Sequence, residues 1–246
     1  MIGIIAGTGF YALPDLMNRS DQQVKTPYGE AAVSLGLWNG QQIAFVARHG
    51  GDHSIPPSSI NYRANVKALE QLGVEAIFAV NVVASLLPDK GPGSLFLVSD
   101  FLEFTQGRLS TFFDKPGEVR HTDMTTAYDQ SLRSLLSKAA DLEAIAVRNG
   151  ATYVCTNGPR FETPAEIRMF SKLGAELVGM TGYPEVALAR ELDIAYSSLA
   201  VVSNSAAGHG EGEISLEEIW EVLDSCKDKI FRLLSRAVQL WSTGEC

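Results

Sequence analysis

The chain has 246 residues, of which 46% are hydrophobic and 20% are charged, a composition typical of a globular protein with a sizeable core. Its formal net charge is −9 at pH 7, which argues against an extended surface for binding nucleic acid or membranes. A small anion stays compatible with this charge, because one arginine and a few backbone N–H groups can hold a phosphate locally. The length, without a low-complexity linker or an internal repeat, predicts a single domain over residues 1–246.

The sequence also bears on location and on metals. The N-terminus lacks the basic segment and long apolar run of a signal peptide, and no apolar stretch reaches transmembrane length. Cys155, Cys226 and Cys246 are an odd number with no close pairing, which predicts reduced thiols and a cytoplasmic protein. No Cys/His cluster has zinc spacing and no loop resembles a calcium site, so we expect neither a metal nor a cofactor.

Short apolar runs rich in Val, Ile and Phe alternate with helical patterns. The runs predict buried strands at Ile2–Ala6, Ile43–Ala47, Ala76–Val82, Leu95–Ser99, Thr152–Thr156, Glu176–Met180 and Ala195–Val202. Periodicity and capping signals predict helices at Ile60–Gln71, Gln130–Arg148, Pro164–Leu173, Pro184–Glu191 and Ser215–Trp241. This alternation predicts an α/β fold, an α/β/α sandwich around a mixed central sheet. The stretch Glu103–Ala127 is a long loop, and such loops are usually functional or packed on a partner.

Several candidate site residues in the N-terminal half stand at the ends of predicted strands. Gly7-Thr8-Gly9 follows the first strand, where two glycines permit a tight turn and the threonine hydroxyl can donate to an anion. Arg48 and His49 follow another strand, at the edge where open α/β sheets place ligands, and the arginine suits phosphate. His53 and Asn81 occupy similar positions. Each also has an ordinary explanation as a plain turn, an ion pair, a loop histidine or a buried strand end.

Four further candidate residues lie in the C-terminal half. Phe161 can stack on a base, and Glu162 places a carboxylate just before a predicted helix. Met180 ends one predicted strand, and Asn204 follows another. Taken singly, ordinary roles are at least as common: core packing for Phe161 and Met180, a helix-dipole interaction for Glu162, and a turn for Asn204.

The order of these motifs along the chain is more specific than any one of them. From Gly3 to about Leu240 the sequence resembles the trimeric purine nucleoside phosphorylase and methylthioadenosine phosphorylase family, and within it looks most like the S-methyl-5′-thioinosine phosphorylases. The motifs that carry the resemblance are Gly7-Thr8-Gly9, Ala47-Arg48-His49-Gly50, Asn61-Tyr62-Arg63-Ala64-Asn65, Gly158-Pro159-Arg160-Phe161-Glu162-Thr163 and Gly179-Met180-Thr181.

The resemblance implies a role for each matching position. Phosphate would be held by Thr8, Arg48, His49, the backbone N–H of Val82, and Thr181. The base site would comprise Phe161, Glu162, Val178, Gly179 and Asn204, with Met180 against the ribose, Asn81 as a further substrate-binding residue, and His53, Leu216 and Ile219 around the 5′ end of the sugar. His121 matches a histidine that the family lends to the neighbouring subunit, which implies a homotrimer, or a hexamer built as a dimer of trimers. Ala84 departs from the family glycine, which puts the Val82 contact in question.

Glu162 and Asn204 are the predicted catalytic residues, and their polarity can select the purine. Hypoxanthine and guanine present an acceptor oxygen at C6 and an N–H donor at N1, whereas adenine presents the reverse. A carboxylate near N1 and an amide NH₂ near N7 and O6 therefore match a 6-oxopurine. By resemblance, the adenine-using branch has an aspartate at the Asn204 position and no acid at the Glu162 position.

The 5′ side indicates the sugar. Leu216, Ile219 and Trp220 are apolar, whereas related purine nucleoside phosphorylases have a histidine at the Ile219 position. An apolar pocket favours a methylthio group over a hydroxyl, because burying an unpaired hydroxyl is costly. The expected reaction converts S-methyl-5′-thioinosine and phosphate to hypoxanthine and 5-methylthioribose 1-phosphate. The alternatives are an S-methyl-5′-thioadenosine phosphorylase, a general 6-oxopurine nucleoside phosphorylase acting on inosine and guanosine, and a nucleoside-binding protein without turnover.

Overall fold

A computed structural model describes residues 1–210 and 212–244, and these contain eleven strands and five α-helices. The strands are β1 (Ile2–Ala6), β2 (Met17–Thr26), β3 (Gly29–Trp38), β4 (Gln41–Ala47), β5 (Ala76–Ser85), β6 (Leu95–Leu97), β7 (Asp100–Phe104), β8 (Arg148–Asn149), β9 (Thr152–Thr156), β10 (Leu177–Gly179) and β11 (Ala195–Ser205). The helices are α1 (Tyr62–Gln71), α2 (Gln130–Leu142), α3 (Pro164–Lys172), α4 (Gly182–Glu191) and α5 (Leu216–Ser242), with a 3-10 turn at Pro57–Ser59.

The eleven strands form one mixed sheet in the order β2-β3-β4-β1-β5-β10-β9-β7, and β11 pairs with both β5 and β6, the latter also pairing with β8. β5 is parallel to β1 and β11 but antiparallel to β10. Since Leu177 of β10 lies opposite Ser85, the chain after β10 returns alongside the middle of β5. The carboxyl ends of β1, β4 and β10 therefore meet near the middle of β5.

Helices cover both faces of the sheet, as the alternation of side chains along β1 illustrates. Ile5 lies in one buried cluster with Leu69 of α1 and Leu188 of α4. Ile4 points to the other face and lies in a cluster with Leu136 of α2 and residues of α5. Successive residues of a strand face opposite sides, so the two clusters are the two layers of the core. The predicted α/β/α sandwich with a mixed sheet is confirmed.

Three predicted boundaries were wrong by three residues or more. One is the predicted strand Ala195–Val202, which continues to Ser205, so Asn204 lies inside a strand rather than in a loop. The predicted strand Ala76–Val82 continues to Ser85, so Asn81 lies inside a strand rather than at its end. Helix α2 ends at Leu142 instead of Arg148, because Ala144 takes a left-handed backbone conformation with φ 54°. Ile145 and Val147 then pack against the core from outside the helix. Their apolar side chains continue the spacing of a helix in the sequence, which explains the wrong boundary.

The hairpin of β2 and β3 was missed by the sequence analysis. β2 is almost entirely exposed and polar, so it carries no apolar alternation to detect. It forms the edge of the sheet, where a polar strand is protected from pairing with other chains. The strands β7 and β8 were also missed. The last two residues of β7, Glu103 and Phe104, belong to the predicted long loop Glu103–Ala127.

Two further features concern membrane-spanning helices and disulfide bonds. Within residues 1–210 and 212–244, no helix combines the length and apolar character needed to cross a bilayer. Cys155 and Cys226 are buried and free of disulfide bonds, while Cys246 lies outside the described residues.

Candidate functional site

A cavity with a volume of about 310 Å³ lies where the strand ends meet the middle of β5. It brings together all of the predicted site residues except Asn81 and His121, although they come from seven separate parts of the chain. Those lining it are Thr8, His49, Arg48, His53, Val82, Phe161, Glu162, Val178, Gly179, Met180, Thr181, Asn204, Leu216 and Ile219. A volume of this size is within the range of small-molecule sites.

Arg48 forms the floor of one end of the cavity. Its side chain is fully buried, and Nε and Nη2 donate to the two carboxylate oxygens of Glu185 at 3.1 and 2.8 Å. Nη1 donates to the carbonyl of Val80 at 2.8 Å. These bonds use three of the five N–H groups of the guanidinium and leave two for a ligand. Gly7 is required here, since a Cβ at this position would lie 2.8 Å from Nη1 of Arg48.

His49, the next residue, is held in one orientation and one protonation state. Its Nδ1 lies 2.8 Å from the carbonyl oxygen of Ile55, which can only accept, so Nδ1 carries the proton. Burial, together with the charges of Arg48 and His53, lowers the pKa of His49 to about 4 despite the bond to Ile55. The ring is therefore neutral near pH 7, and its other nitrogen, Nε2, can accept a hydrogen bond.

Thr181 lies at the N-terminus of α4, and the side chain of the buried Tyr153 fixes its backbone. The hydroxyl of Tyr153 accepts from the backbone N–H groups of Thr181 and Gly182, both at 3.1 Å. Asn81 lies under the cavity and is only 1% exposed, with its Nδ2 bonded to the Thr181 hydroxyl. Asn81 therefore does not line the cavity and influences it only through its hydrogen bond to Thr181.

Ala84 remains within the strand pairing of β5, the strand that carries Val82. Ala84 pairs in register with both Val178 of β10 and Asn204 of β11. The carbonyl of Val82 faces Gly179, 3.2 Å from the position of a Cβ there. Because the N–H and C=O of one strand residue point to the same side, the Val82 N–H also faces the β10 side, where the cavity lies.

The other end of the cavity contains Glu162. Thr163 begins α3 with a capping box shared with Glu166, which fixes the backbone immediately after Glu162. The Thr156 hydroxyl donates to Oε1 of Glu162 at 2.6 Å. Burial raises the pKa of Glu162 above its ordinary value of 4.5, although the bond from Thr156 acts in the opposite direction. Phe161 beside it remains 38% exposed at the rim.

Asn204 is presented by a bulge in β11. The register with β5 shifts between Val202 and Asn204, leaving Ser203 as the extra residue. Oδ1 of Asn204 accepts from the Ser203 hydroxyl at 2.7 Å, and Nδ2 donates to the Ser205 carbonyl at 2.9 Å. With its oxygen occupied, the amide offers its second N–H as a donor.

His53 and Trp220 line the third side of the cavity, beside the first turn of α5, and Tyr11 packs against both rings without lining the cavity. The ring of His53 lies 6.1 Å from Trp220, and Tyr11 lies 5.8 Å from His53 and 6.4 Å from Trp220. Leu216 and Ile219 line the cavity next to them. Tyr11 was missed by the sequence analysis, because an isolated aromatic residue after a glycine turn carries no specific signal.

Two residues of the long loop differ in their relation to the cavity. His121 is exposed on the loop and does not line the cavity in the single chain. Arg108, which the sequence analysis missed, packs against the back of the site and bonds to backbone carbonyls of several site segments. Among the described residues there is no group of three or more His, Cys, Asp or Glu side chains positioned to hold a metal ion.

Comparison with known proteins assigns the chain to a class. Residues 1–239 match the phosphorylase superfamily, and the chain belongs to that family. It is 42% identical over 245 residues to the 6-oxopurine nucleoside phosphorylase of Pyrococcus furiosus, covering 97% of this chain and 92% of that protein. It is 44% identical over 242 residues to a probable S-methyl-5′-thioinosine phosphorylase of Methanothermobacter thermautotrophicus, covering 97% and 84%.

A solved structure gives the same assignment. Methylthioadenosine phosphorylase from Schistosoma mansoni in complex with adenine matches with a TM-score of 0.93 and 31% identity, covering 98% of this chain and 92% of that one. The family resemblance carried by the sequence motifs is confirmed.

Proposed function

We propose that this protein is an enzyme that cleaves purine nucleosides with inorganic phosphate, and that S-methyl-5′-thioinosine is its preferred substrate. The products are hypoxanthine and 5-methylthioribose 1-phosphate. The observation that carries the proposal is the division of one cavity into two chemically different ends. One end holds Arg48, His49 and Thr181, and the other holds Glu162 and Asn204. The family and the relatives named above support this assignment.

At the first end, phosphate acts as a co-substrate, and we expect no cofactor. Thr8, Arg48, His49, Val82 and Thr181 supply the contacts. Because Glu185 already neutralises Arg48, the arginine gives the phosphate hydrogen bonds without excess positive charge. The phosphate therefore keeps the negative charge that stabilises the cation-like sugar as the bond between C1′ and N9 breaks. A phosphate oxygen then attacks C1′, and no general base is required.

At the second end, the base is recognised by its 6-oxo edge. Glu162, held by Thr156, accepts a hydrogen bond from N1–H, and the one free N–H of Asn204 donates to N7 or O6. The same bond from Asn204 stabilises negative charge that grows on the leaving purine. A 6-aminopurine would place an acceptor against Glu162, and a buried mismatch of this kind costs about 1–3 kcal/mol.

The sugar subsite favours a methylthio group. Leu216, Ile219 and Trp220 give it an apolar wall, against which a 5′-hydroxyl would lose hydrogen bonds to water. His53 is a polar ring that lines the cavity next to this wall, 6.1 Å from Trp220. It supports a second candidate function, a general 6-oxopurine nucleoside phosphorylase, since an imidazole can bond to a 5′-hydroxyl.

The test is to supply four nucleosides with and without phosphate and to measure release of the base. They are S-methyl-5′-thioinosine, S-methyl-5′-thioadenosine, inosine and adenosine. We expect phosphate-dependent release, with kcat/KM highest for S-methyl-5′-thioinosine. A higher value for inosine would favour the second candidate. Preference for either 6-amino substrate, or no phosphate-dependent release from any of the four, would overturn the proposal.

The assembly and location also belong to the proposal. We infer a homotrimer, or a hexamer as a dimer of trimers, in which His121 completes a neighbouring site. The support is a second cavity of 290 Å³ that shares Glu162 and is bordered by partly exposed Phe104 and Met169. Light scattering after size exclusion gives the subunit number, and a monomer would contradict the inference. The free thiols of Cys155 and Cys226 support a cytoplasmic location.

A further inference from the structure

We propose that Arg108, in the loop after β7, is a positioning residue that clamps together the two strand ends supporting the base and the ribose. This inference rests on the proposed function. It gives the long loop a role within its own subunit, separate from the role expected for His121 in a neighbouring one.

The first set of contacts comes from Nη2 of Arg108. It donates to the carbonyls of Thr156 and Asn157, both at 3.1 Å, at the end of β9. It also donates to the carbonyl of Met180 at 2.7 Å, just after β10. One nitrogen therefore joins the ends of two neighbouring parallel strands.

The second set comes from Nη1. It donates to the carbonyl of Tyr183 at 2.5 Å, in the first turn of α4, and to the hydroxyl of Tyr62 at 3.3 Å. That hydroxyl in turn donates to the carbonyl of Pro57, which lines the cavity. Arg108 thus also connects the start of α4 with the segment that leads into α1.

The chemistry of the contacts explains why arginine stands here. Carbonyl groups from three separate segments converge on one point, where each needs a donor, and a guanidinium offers five N–H groups and no acceptor. Hydrogen bonds from a charged donor are about twice as strong as neutral ones. No other side chain type supplies this number of donors in one plane.

The clamped carbonyls belong to residues whose side chains form the site. Thr156 orients the Glu162 carboxylate through its hydroxyl. Met180 lines the cavity and lies so close to Gly158 that a Cβ there would be 2.5 Å from its sulfur. Since an error of 1 Å in positioning can cost about a hundredfold in rate, the clamp affects catalysis without touching the substrate.

The phosphate end has further anchors besides the clamp. The backbone of Thr181 is fixed by the Tyr153 hydroxyl, and Arg48 is fixed by Glu185. Loss of Arg108 should therefore disturb the base and ribose contacts more than phosphate binding. This separation gives a measurement that general destabilisation would not reproduce.

The test compares Arg108→Met, Arg108→Lys and a control variant with the wild type. The Met variant keeps most of the side-chain length but removes every donor, and the Lys variant restores the charge and some donors. The control is Arg63→Ala, which removes the ion pair of Arg63 with Asp114 at 2.6 Å, an anchor of the same loop away from the cavity. Each variant is assayed for kcat/KM on S-methyl-5′-thioinosine and S-methyl-5′-thioadenosine, and for phosphate affinity by calorimetry.

We expect Arg108→Met to lower kcat/KM for the 6-oxo substrate on the order of a hundredfold and to reduce the 6-oxo preference, with a smaller loss of phosphate affinity. Arg108→Lys should recover part of the loss, and Arg63→Ala should have a small effect. If Arg108→Met does not fold, Arg108→Lys alone must show the same selective loss in smaller measure. Wild-type selectivity in a folded Arg108 variant, or an equal loss of phosphate affinity, would overturn the inference. An inactive wild type would instead refute the proposed function.

Discussion

Asn81 donates a hydrogen bond from Nδ2 to the hydroxyl oxygen of Thr181 across 3.1 Å. Its Oδ1 accepts one from the hydroxyl of Ser198 at 2.8 Å, and all three residues are buried. This chain sets the direction of the hydroxyl proton, because the Thr181 oxygen already accepts from Asn81. The proton of Thr181 is left to point into the cavity as a donor, which is the polarity that a phosphate requires.

The first prediction concerns this polarity. In Asn81→Asp, a carboxylate oxygen replaces the donor and accepts the Thr181 proton, so the hydroxyl no longer donates to phosphate. We expect the KM for phosphate to rise on the order of tenfold or more, with a smaller change in the KM for the nucleoside. Steady-state kinetics with either substrate varied measures both. Ser85→Ala, a buried polar change on the same strand, serves as the control, and equal effects of the two variants would refute the prediction.

A second prediction concerns selection of the base by Glu162. Glu162→Gln keeps the shape of the side chain and the contact with Thr156 but weakens acceptance of the N1 proton. We expect kcat/KM for S-methyl-5′-thioinosine to fall about 10- to 100-fold and the value for S-methyl-5′-thioadenosine to fall less. The matched control is Glu166→Gln, which removes the same charge from the capping box of α3 on the surface. An unchanged ratio between the two substrates in Glu162→Gln would contradict the assignment.

The third prediction is a pH dependence. Burial raises the pKa of Glu162 above 4.5, so on acidification the carboxylate takes up a proton at a higher pH than an ordinary glutamate does. Protonation removes the charge that accepts N1–H, so hypoxanthine affinity should weaken as the pH falls through this raised pKa. Calorimetric titration with hypoxanthine between pH 4 and 7 avoids the ionisation of phosphate. Glu162→Gln should lack this dependence, and a persisting dependence would exclude Glu162 as its source.

A fourth prediction concerns the 5′ substituent. Ile219→His introduces a donor and acceptor into the apolar wall, where a 5′-hydroxyl could bond to it. We expect kcat/KM for inosine to rise relative to S-methyl-5′-thioinosine by about tenfold, the value of one buried hydrogen bond. Glu221→His places the same ring on the exposed side of α5 and should leave the ratio unchanged. If the two variants behave alike, Ile219 does not contact the 5′ group.

The sequence predicted the parts of the site that depend on strand ends. Arg48 follows β4 and Asn204 lies near the end of β11, and these strands run parallel within the sheet, so both residues could be placed at one edge from the sequence. Met180 was grouped with them only by the family resemblance, because β10 runs antiparallel to β5 and its end approaches from the opposite direction. The bulge at Ser203 that turns Asn204 toward the cavity could not be predicted, because an extra strand residue leaves no mark in the hydrophobic pattern.

Other features depended on non-local contacts. Arg108 is a lone charged residue in a loop, and its partners are backbone carbonyls as far away as Tyr183. Every residue has a backbone carbonyl, so the residue types at the partner positions give no indication of such a clamp. The edge strand β2 could not be predicted for a different reason. Its residues are polar because they face solvent at the edge of the sheet and do not pack in the core, so they show no strand pattern of apolar residues.

The central claim is that Glu162 and Asn204 together recognise the 6-oxo edge of a purine. The most direct measurement is a crystal structure of the protein with hypoxanthine and phosphate bound. We expect a Glu162 carboxylate oxygen about 2.6–3.2 Å from N1 and the Asn204 amide nitrogen at a similar distance from N7 or O6. A base whose 6-oxo edge faces away from either side chain would contradict the claim.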